Sequence, residues 1–311
     1  MVGGSVARVI ELSGLTKRYG KTTAVNNLSF TVRPGHVTGF LGPNGAGKST
    51  TLRMIIGLNE PTGGSVTVAG QRFRDHPRGL RHVGALLDAG DVHGGRSAAA
   101  HLAVLARSNA VPPRRVDEVL AEVGLGDVAG RRIAGFSLGM KQRLGIAAAL
   151  LGDPPVLLFD EPLNGLDPEG VLWVRGLFRR LAAEGRTVFV SSHMMSEMEN
   201  TADRLIVIGR GELIADETLG GFSARGTRLS VTVRTPDRAD LSTLLAAEGA
   251  SVQPEGEQAL TVTGLSADRI GELAFRNRLL LHELATRNAS LEEAFMELTA
   301  DSVEYPAGDH S

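Results

Sequence analysis

The chain has 311 residues, carries 33 basic and 35 acidic side chains, and contains no cysteine. The formal net charge of −2 gives no excess of positive charge for phosphate neutralisation, so we expect no stable nucleic-acid partner. The absence of thiols excludes disulfides, thiolate metal sites and a cysteine nucleophile. The first twenty residues are expected to form a strand, not a signal peptide, and no apolar run reaches the ~18 residues of a membrane-spanning helix.

The N-terminal part of the sequence predicts short strands around a glycine-rich loop. The predicted strands lie at residues 9–12, 24–32, 37–41 and 65–69. The third of them leads directly into the loop. After the loop, Leu52, Ile55 and Ile56 follow the i, i+3, i+4 spacing of a helix, and Gly57 with Pro61 ends it.

The middle of the sequence predicts a run of helices followed by alternating strands and helices. Helices are predicted at residues 98–108, 115–123 and 138–151, with no strand between them. Strands are then predicted at residues 156–159, 187–191 and 205–208, and helices between them at 171–183 and 195–202. Uninterrupted apolar strands of this kind are typical of a buried parallel sheet. The alternation therefore predicts an α/β domain with a parallel core sheet.

The order of predicted elements changes after a glycine-rich stretch at residues 217–227, which we interpret as a linker. Strands or extended segments follow at 229–233, 259–262 and 279–285, and helices at 241–247 and 266–275. Ser290 and Glu293 form a capping box that opens a last helix. We predict a large domain over residues 1–222 with a helical subdomain at about 89–151, a small α+β domain over 223–300 and a flexible tail over 301–311.

The glycine-rich loop matches the pattern G-x-x-x-x-G-K-[ST]. Its residues are Gly42, Pro43, Asn44, Gly45, Ala46, Gly47, Lys48, Ser49 and Thr50. The glycines permit positive φ, so that successive backbone N–H groups can turn towards an anion. Lys48 would reach the β/γ region of a nucleotide and Ser49 would ligate Mg²⁺. A strand before the loop and a helix after it favour a phosphate-binding loop over a structural turn.

A second motif is an apolar strand that ends in two acids, Asp160 and Glu161. Asp160 is placed to hold Mg²⁺, usually through water, and Glu161 to polarise an attacking water for in-line displacement. Acids at strand ends are common, so this interpretation depends on the phosphate-binding loop. At this point two alternatives remain open: a kinase-like enzyme that transfers the γ-phosphate to a substrate, or an ATPase that transfers it to water.

A third motif, Phe136-Ser137-Leu138-Gly139-Met140-Lys141-Gln142-Arg143-Leu144, favours the ATPase. Ser137 would cap a helix, so that its hydroxyl and the next free N–H groups form a second anion site. Here the sequence closely resembles the ATP-binding cassette (ABC) family, whose LSGGQ signature, often continued by KQR, is matched by Ser137, Gly139, Lys141, Gln142 and Arg143. The resemblance implies a P-loop ATPase with a parallel core sheet, an antiparallel β subdomain and a helical subdomain. It also implies that the signature completes the ATP pocket of a partner subunit in a head-to-tail dimer.

Other landmarks of the family follow in order. Tyr19 matches the aromatic residue that stacks on adenine, Asp167 the key acid of the D-loop, and His193 the switch histidine that senses the γ-phosphate. The resemblance covers residues 8–220. The implied catalytic residues are Lys48, Asp88, Glu161 and His193. The implied nucleotide contacts are Tyr19, residues 42–50, Ser137, Gly139, Met140, Gln142 and Asp167. The implied metal ligands are Ser49, Asp88 and Asp160.

The sequence departs from the family pattern in two places. Phe136 replaces leucine and Leu138 replaces the first glycine of the signature, but Ser137 and Gly139 remain, so we expect function to survive. Where the family usually has a glutamine that senses Mg²⁺, this sequence has Asp88, whose carboxylate can also meet Mg²⁺ through water.

The last predicted helix, LEEAFMELT, looks like part of the accessory domain of daunorubicin- and bacitracin-type exporter ATPases. The resemblance thus implies ATP and Mg²⁺ as ligands, a homodimer closed through the ATP sites, a separate transmembrane permease, and a peripheral location of this protein at the cytoplasmic face of the cell membrane. We expect the ATPase subunit of a bacterial exporter of drug-like or lipophilic compounds. The alternative is a soluble cassette ATPase that acts on ribosomes or DNA. The single cassette and the absence of a long heptad repeat favour the exporter.

Overall fold

The computed structural model describes residues 9–226, 229–256, 259–288 and 291–299. The strands are β1 (Ile10–Tyr19), β2 (Thr22–Val32), β3 (Val37–Leu41), β4 (Gly63–Val68), β5 (Val83–Leu86), β6 (Val156–Asp160), β7 (Thr187–Ser192), β8 (Arg204–Gly209), β9 (Glu212–Thr218), β10 (Leu229–Arg234), β11 (Ser251–Glu255), β12 (Ala259–Thr263) and β13 (Glu283–Asn288). The α-helices are α1 (Lys48–Ile55), α2 (Ala98–Ser108), α3 (Arg114–Glu122), α4 (Leu138–Leu150), α5 (Pro168–Ala183), α6 (Met195–Glu199), α7 (Leu219–Gly226), α8 (Arg238–Ala247), α9 (Ala267–Arg276) and α10 (Leu291–Thr299).

The described chain divides into two compact units: the larger comprises the residues up to Leu219 together with Thr299, and the smaller spans Gly220–Leu298. In the larger unit a six-stranded sheet has the order β5-β6-β7-β3-β8-β9. Strands β5, β6, β7, β3 and β8 run parallel to one another, and in this sheet only β9 runs antiparallel to its neighbour. Every residue of β3, including Thr38, is buried, as expected of a strand that lies between two parallel neighbours, β7 and β8. The predicted α/β fold with a parallel core sheet is confirmed.

An antiparallel sheet of order β2-β1-β4 packs against the parallel sheet in the same unit. Phe30 of β2 joins the two layers, because its ring lies 5.7 Å from that of Phe40 and 5.9 Å from that of Phe189. All three rings belong to one apolar core. The predicted antiparallel subdomain is therefore present, and its β1–β2 hairpin closes at Tyr19 and Thr22.

Helices α2, α3 and α4 follow one another between β5 and β6 and form a helical region within the larger unit. Ser97 caps α2 by accepting a hydrogen bond from the Ala100 amide at 3.2 Å. Helix α4 lies directly on β5, where a Cβ added to Gly84 would come within 1.9 Å of the Ala149 carbonyl oxygen. Only glycine permits this approach. The close packing fixes α4, and with it the signature sequence, against the parallel sheet.

The smaller unit is built on a four-stranded antiparallel sheet of order β11-β12-β10-β13. Helices α8 and α9 supply the rest of its core, which includes Val231, Leu241, Leu260 and Ile270. Alternate residues of β10 and β12 point into this core, as the period of two in a strand requires. The unit has the α+β composition that the sequence predicts.

Some predicted boundaries differ from the structure. The stretch at residues 217–227, interpreted as a linker, contains the end of β9 and helix α7. The predicted strands include no counterpart of β9 or β11, and β1 extends well beyond the predicted segment at 9–12. The predicted flexible tail, residues 301–311, lies outside the described residues. Among the helices that the structure describes, none is long and apolar enough to cross a membrane.

Candidate nucleotide site

The phosphate-binding loop connects the C-terminal end of β3 to the first turn of α1. Gly45 and Gly47 adopt left-handed conformations, with φ of 82° and 99°. A Cβ on Gly42 would lie 2.5 Å from the Ile208 carbonyl oxygen, and one on Gly47 would lie 2.5 Å from the Ala24 carbonyl oxygen. Larger residues would therefore displace the loop. The first N–H groups of α1 have no intrahelical acceptor, and they point from the helix end that favours anions.

A cavity of about 460 Å³ opens at this loop. Its lining combines the loop with three polar residues from other segments. The lining residues are Ala24, Asn44, Gly45, Ala46, Gly47, Lys48, Ser49, Thr50, Glu161, Asn164 and His193. A position outside the carboxyl ends of parallel strands is where open α/β sheets bind ligands. The cavity is therefore placed and lined to receive phosphate groups.

Lys48 is buried under the loop. Its Nζ donates hydrogen bonds to the carbonyl oxygens of Gly42 at 2.7 Å and Pro43 at 3.2 Å. The same nitrogen lies 3.8 Å from Glu161 Oε1. Burial lowers the pKa of Lys48, while the charges of Glu161 and Asp160 oppose that shift. The loop and the acids thus hold one desolvated cation at the cavity.

Glu161 follows β6 and places its carboxylate in the cavity. Its backbone is left-handed, with φ of 48°, which is strained for a residue other than glycine. Glu161 Oε2 lies 2.8 Å from His193 Nδ1 and 3.5 Å from Asn164 Nδ2. The structure therefore brings three predicted catalytic residues together, because Lys48 and His193 both lie close to the carboxylate of Glu161.

The oxygen atoms near the loop fit Mg²⁺. Ser49 lines the cavity, and Asp160, which ends β6, accepts a hydrogen bond from the Ser191 hydroxyl. Hydroxyl and carboxylate oxygens are the ligands that Mg²⁺ prefers, and it commonly takes only one or two from protein while phosphates and water supply the rest. No group of three or more metal-ligating side chains occurs in the part of the chain described. This sparse oxygen set suits an ion that arrives with a nucleotide.

The signature residues form a separate surface outside this cavity. Ser137 caps α4, since its Oγ accepts a hydrogen bond from the Met140 amide at 3.2 Å. Gly139 lies against the Gly165 carbonyl, which a Cβ would approach to 3.1 Å. Asp167 caps α5 by accepting from the Gly170 amide at 2.8 Å. None of these residues lines the cavity of its own chain, although Ser137 and Asp167 are exposed.

Gln142 requires a correction to its predicted role as a nucleotide contact. Its side chain is only 4% exposed, and its Nε2 donates a hydrogen bond to the Glu161 carbonyl oxygen at 3.1 Å. It therefore faces the interior of its own subunit and is not presented on the signature surface. Helical periodicity explains the difference, because Gln142 lies on the face of α4 that packs on the sheet.

Tyr19 and Asp88 also lie outside the cavity lining, as do the predicted residues Gly42, Pro43, Met140 and Asp160. Tyr19 is half exposed at the β1–β2 hairpin, where its hydroxyl accepts from Asn59 Nδ2 at 2.9 Å and Lys17 Nζ lies 5.0 Å from its ring centre. Asp88 is exposed after β5, and its Oδ1 accepts the Gly90 amide at 2.7 Å. The adenine contact of Tyr19 and the Mg²⁺ contact of Asp88 stay predictions.

Three residues of the site were assigned no role from the sequence. Asn164 and Ala24 line the cavity, and the Ser191 hydroxyl accepts the Glu161 amide at 3.0 Å. A signal for Ser191 exists in the sequence, because it is a polar residue at the end of an otherwise apolar strand. The position of Ala24 depends on contacts with distant segments, whereas Asn164 lies three residues after Glu161 in the turn that follows β6.

Comparisons with known proteins agree with the geometry. The sequence profile of the ABC transporter family matches residues 25–164. YhcH, an uncharacterised ABC transporter ATP-binding protein of Bacillus subtilis, is 35% identical over 300 residues, which cover 95% of this chain and 97% of that protein. This chain belongs to the ABC transporter ATP-binding family. The resemblance predicted from the phosphate-binding loop, the paired acids and the signature is confirmed.

Other ABC relatives match the predicted exporter type. The daunorubicin/doxorubicin resistance ATP-binding protein DrrA of Streptomyces peucetius is 34% identical over 317 residues, covering 98% of this chain and 95% of that protein. The bacitracin transport ATP-binding protein BcrA of Bacillus licheniformis is 40% identical over 214 residues, covering 68% and 70%. A profile for a domain of unknown function matches residues 229–292, within the smaller unit.

Solved ABC structures superpose on the larger part of the chain. The ATP-binding subunit of an ABC transporter matches with a TM-score of 0.64 and 28% identity, covering 70% of this chain and 92% of that one. A dimeric ATP-binding cassette in a post-hydrolysis state, bound to ADP and Pi, matches with a TM-score of 0.63 and 25% identity, covering 68% and 98%. The ABC fold is thus shared over nearly the whole length of those cassettes.

Proposed function

We propose that this ABC protein hydrolyses ATP and that two copies close around two ATP·Mg²⁺ in a head-to-tail dimer. The observation that carries the proposal is the cluster of Lys48, Glu161 and His193 at the mouth of the phosphate-binding loop. A cation, a carboxylate and an imidazole converge where the terminal phosphate of a nucleotide would lie. A site used only for binding would not require a carboxylate beside the phosphates.

Each residue of the cluster has a separate task in the proposed reaction. The loop amides and Lys48 bind the phosphates and stabilise negative charge as it develops. Glu161 accepts a proton from the attacking water, and His193, which contacts the same carboxylate, orients Glu161 and the γ-phosphate. Ser49 and Asp160 would hold Mg²⁺, which neutralises charge on the β- and γ-phosphates. Asn164 contacts the same Glu161 oxygen as His193.

The second subunit completes the pocket in this proposal. Ser137 and the first N–H groups of α4 form an anion site that lies outside the chain's own cavity. Gly139 permits close approach, and Asp167 lies beside it at the start of α5. A solved relative is a dimeric cassette. One chain would therefore provide the lysine loop and the other the capped helix.

The dimer would lie at the cytoplasmic face of the membrane, where its closure would drive a separate transmembrane permease. The names of relatives support export of drug-like compounds, because DrrA confers daunorubicin/doxorubicin resistance and BcrA serves bacitracin transport. The alternative, a soluble cassette ATPase acting on ribosomes or DNA, predicts recovery with ribosomes and no membrane partner. Purification from detergent-solubilised membranes with a multi-span protein would support the exporter.

A mixing experiment tests the shared pocket directly. Lys48→Ala removes the lysine of the phosphate-binding loop. Ser137→Arg blocks the capped end of α4, which each chain contributes to the pocket of its partner. Each variant alone should hydrolyse little ATP, because both of its pockets contain a defect. In a mixed dimer, one pocket pairs the intact Lys48 of one chain with the intact Ser137 of the other, so phosphate release should reappear on mixing.

The control is a mixture of two preparations of Lys48→Ala, which should stay inactive. Full activity of Ser137→Arg alone, as a monomer during turnover, would contradict the shared pocket. Absence of ATP hydrolysis by the wild-type chain, alone and with its permease, would contradict the enzymatic proposal itself.

A further inference from the structure

A buried amide connects the signature helix to the proposed catalytic base within one chain. Gln142 is the only polar residue among the buried positions of α4, all of which the structure describes. Its Nε2 donates to the Glu161 carbonyl oxygen at 3.1 Å, and the side chain is 4% exposed. A buried amide is costly unless it is hydrogen-bonded, so this bond accounts for a glutamine on an otherwise apolar helix face.

The bond acts on a strained part of the backbone. Glu161 has φ of 48°, a conformation that is uncommon for a glutamate and persists only where the surroundings enforce it. Three contacts do so: the Glu161 amide donates to Ser191 Oγ at 3.0 Å, and the Glu161 carbonyl accepts from Gln142 Nε2 at 3.1 Å and from the Asn164 amide at 3.3 Å. Rotation of either peptide would move the Glu161 carboxylate away from His193, which lies 2.8 Å from it.

We propose that Gln142 is a positioning residue that aims the Glu161 carboxylate from the signature helix. The inference rests on the proposed function, in which Glu161 is the base and Ser137 meets the nucleotide held by the partner. Ser137 begins the helix on which Gln142 lies. In the proposed dimer, Ser137 meets the ATP held by the partner, whereas Glu161 of the same chain serves the ATP on its own loop. A shift of α4 when Ser137 engages ATP would therefore pass through Gln142 to Glu161 in the other pocket. Gln142 thus lets closure of one pocket raise the rate of hydrolysis in the other, without being required for it.

The first test separates catalysis from binding. Gln142→Leu keeps a side chain of similar size and removes the donor. We expect kcat for ATP hydrolysis to fall about tenfold or more, because small misplacements of a catalytic group have effects of this order. The dissociation constant for ADP should stay within about twofold, since the loop and Lys48 are untouched. Ile146→Val is the matched control: it trims another buried residue of α4 that does not contact Glu161, and it should change the melting temperature but not kcat.

The second test uses pH to restore the donor. In Gln142→Glu a protonated carboxyl can donate to the Glu161 carbonyl, whereas the ionised form can only repel it. Burial favours the protonated form. The ratio of kcat for Gln142→Glu to that of wild type should therefore rise as the pH is lowered from about 8 to about 6. The corresponding ratio for Gln142→Leu should stay constant.

The outcomes distinguish this inference from the proposed function. A wild-type chain without ATPase activity would remove the proposed function. Activity of the wild type together with inactivity of Glu161→Gln would support the proposed function. If Gln142→Leu then had the same kcat as wild type, only the positioning role of Gln142 would be overturned. A flat pH ratio for Gln142→Glu, equal to that for Gln142→Leu, would also overturn it, because the loss would then reflect packing and not the hydrogen bond.

Discussion

Glu161 Oε1 lies 3.8 Å from Lys48 Nζ while Glu161 Oε2 lies 2.8 Å from His193 Nδ1, so one carboxylate bridges the phosphate-binding loop and the segment after β7. The two contacts involve different oxygens of the same group. A carboxylate held at both oxygens has a defined orientation. Because of this arrangement, a specific effect can be predicted for the replacement of Glu161.

Replacing Glu161 by glutamine should abolish hydrolysis and preserve ATP binding. The amide keeps the shape of the side chain but accepts no proton from water, and loss of a general base costs about 10²–10⁴-fold in rate. ATP-bound dimers should accumulate, which size-exclusion chromatography with ATP and Mg²⁺ would detect beside a phosphate-release assay. Glu199→Gln, an exposed change on α6, is the control. Normal turnover by Glu161→Gln would show that Glu161 is not the base.

A methyl group on Gly47 should disrupt nucleotide binding. The added Cβ would lie 2.5 Å from the Ala24 carbonyl oxygen, and alanine is strained at φ of 99°. Gly176→Ala in α5 is the matched control, because nothing lies within 4 Å of its Cβ and alanine stabilises a helix by about 0.5–1 kcal/mol relative to glycine. Fluorescent-nucleotide binding and thermal melting would measure both variants. ATP binding by Gly47→Ala at wild-type affinity would contradict the steric argument.

The sequence predicts the parts of the fold and site that depend on local pattern. The loop at residues 42–50, the acids after β6 and the cap at Ser137 each lie within one short segment, and the structure places them on the strands and helices expected. Apolar runs identify the parallel strands because both of their faces are buried. Local patterns fail where a segment is polar on one side, as in β11, whose residues are mostly exposed and include Pro254.

Contacts between distant segments are the part that the sequence does not predict. Gln142 and Glu161 are 19 residues apart, and Glu161 and Ser191 are 30 apart. Resemblance to the family placed Gln142 among the nucleotide contacts, and only packing of α4 on the sheet shows that it faces inward. The exposed position of Asp88 likewise depends on the turn after β5, where its carboxylate accepts the Gly90 amide.

His101 in α2 should make the protein less stable in mild acid. Burial, and next the charge of Arg96, lower the pKa of His101 from its ordinary 6.5, and its buried Nδ1 has no hydrogen-bond partner among the residues that the structure describes. As the pH falls through 6.5 the unfolded chain takes up a proton that the folded chain resists, so stability decreases until the lower folded pKa is passed. His101→Leu should therefore reduce the loss of unfolding free energy between pH 7 and pH 5, measured by urea denaturation.

Some acid sensitivity should remain in His101→Leu, because burial and His76 also lower the pKa of His82. An identical loss in wild type and His101→Leu would show that the buried imidazole does not govern this part of the pH dependence.

Leu138, at the signature position where the family has glycine, should couple to Gly165 in a double-mutant cycle. A Cβ on Gly165 would lie 2.3 Å from Leu138 Cδ2 and 2.6 Å from its Cγ, and Gly165 has φ of 75°. Gly165→Ala should therefore reduce ATPase activity through both a clash and backbone strain. Leu138→Gly alone should retain activity, since the exposed leucine contributes little to the core.

Adding Leu138→Gly to Gly165→Ala should restore part of the lost activity by removing the clash. The remaining deficit should correspond to about 1–2 kcal/mol of left-handed strain in the alanine. Residues in contact show interaction energies of about 0.5–3 kcal/mol in such cycles, whereas independent sites add. Phosphate release by the four proteins at saturating ATP would give the coupling. Strict additivity would mean that Leu138 moves aside freely and does not set the position of the segment at Gly165.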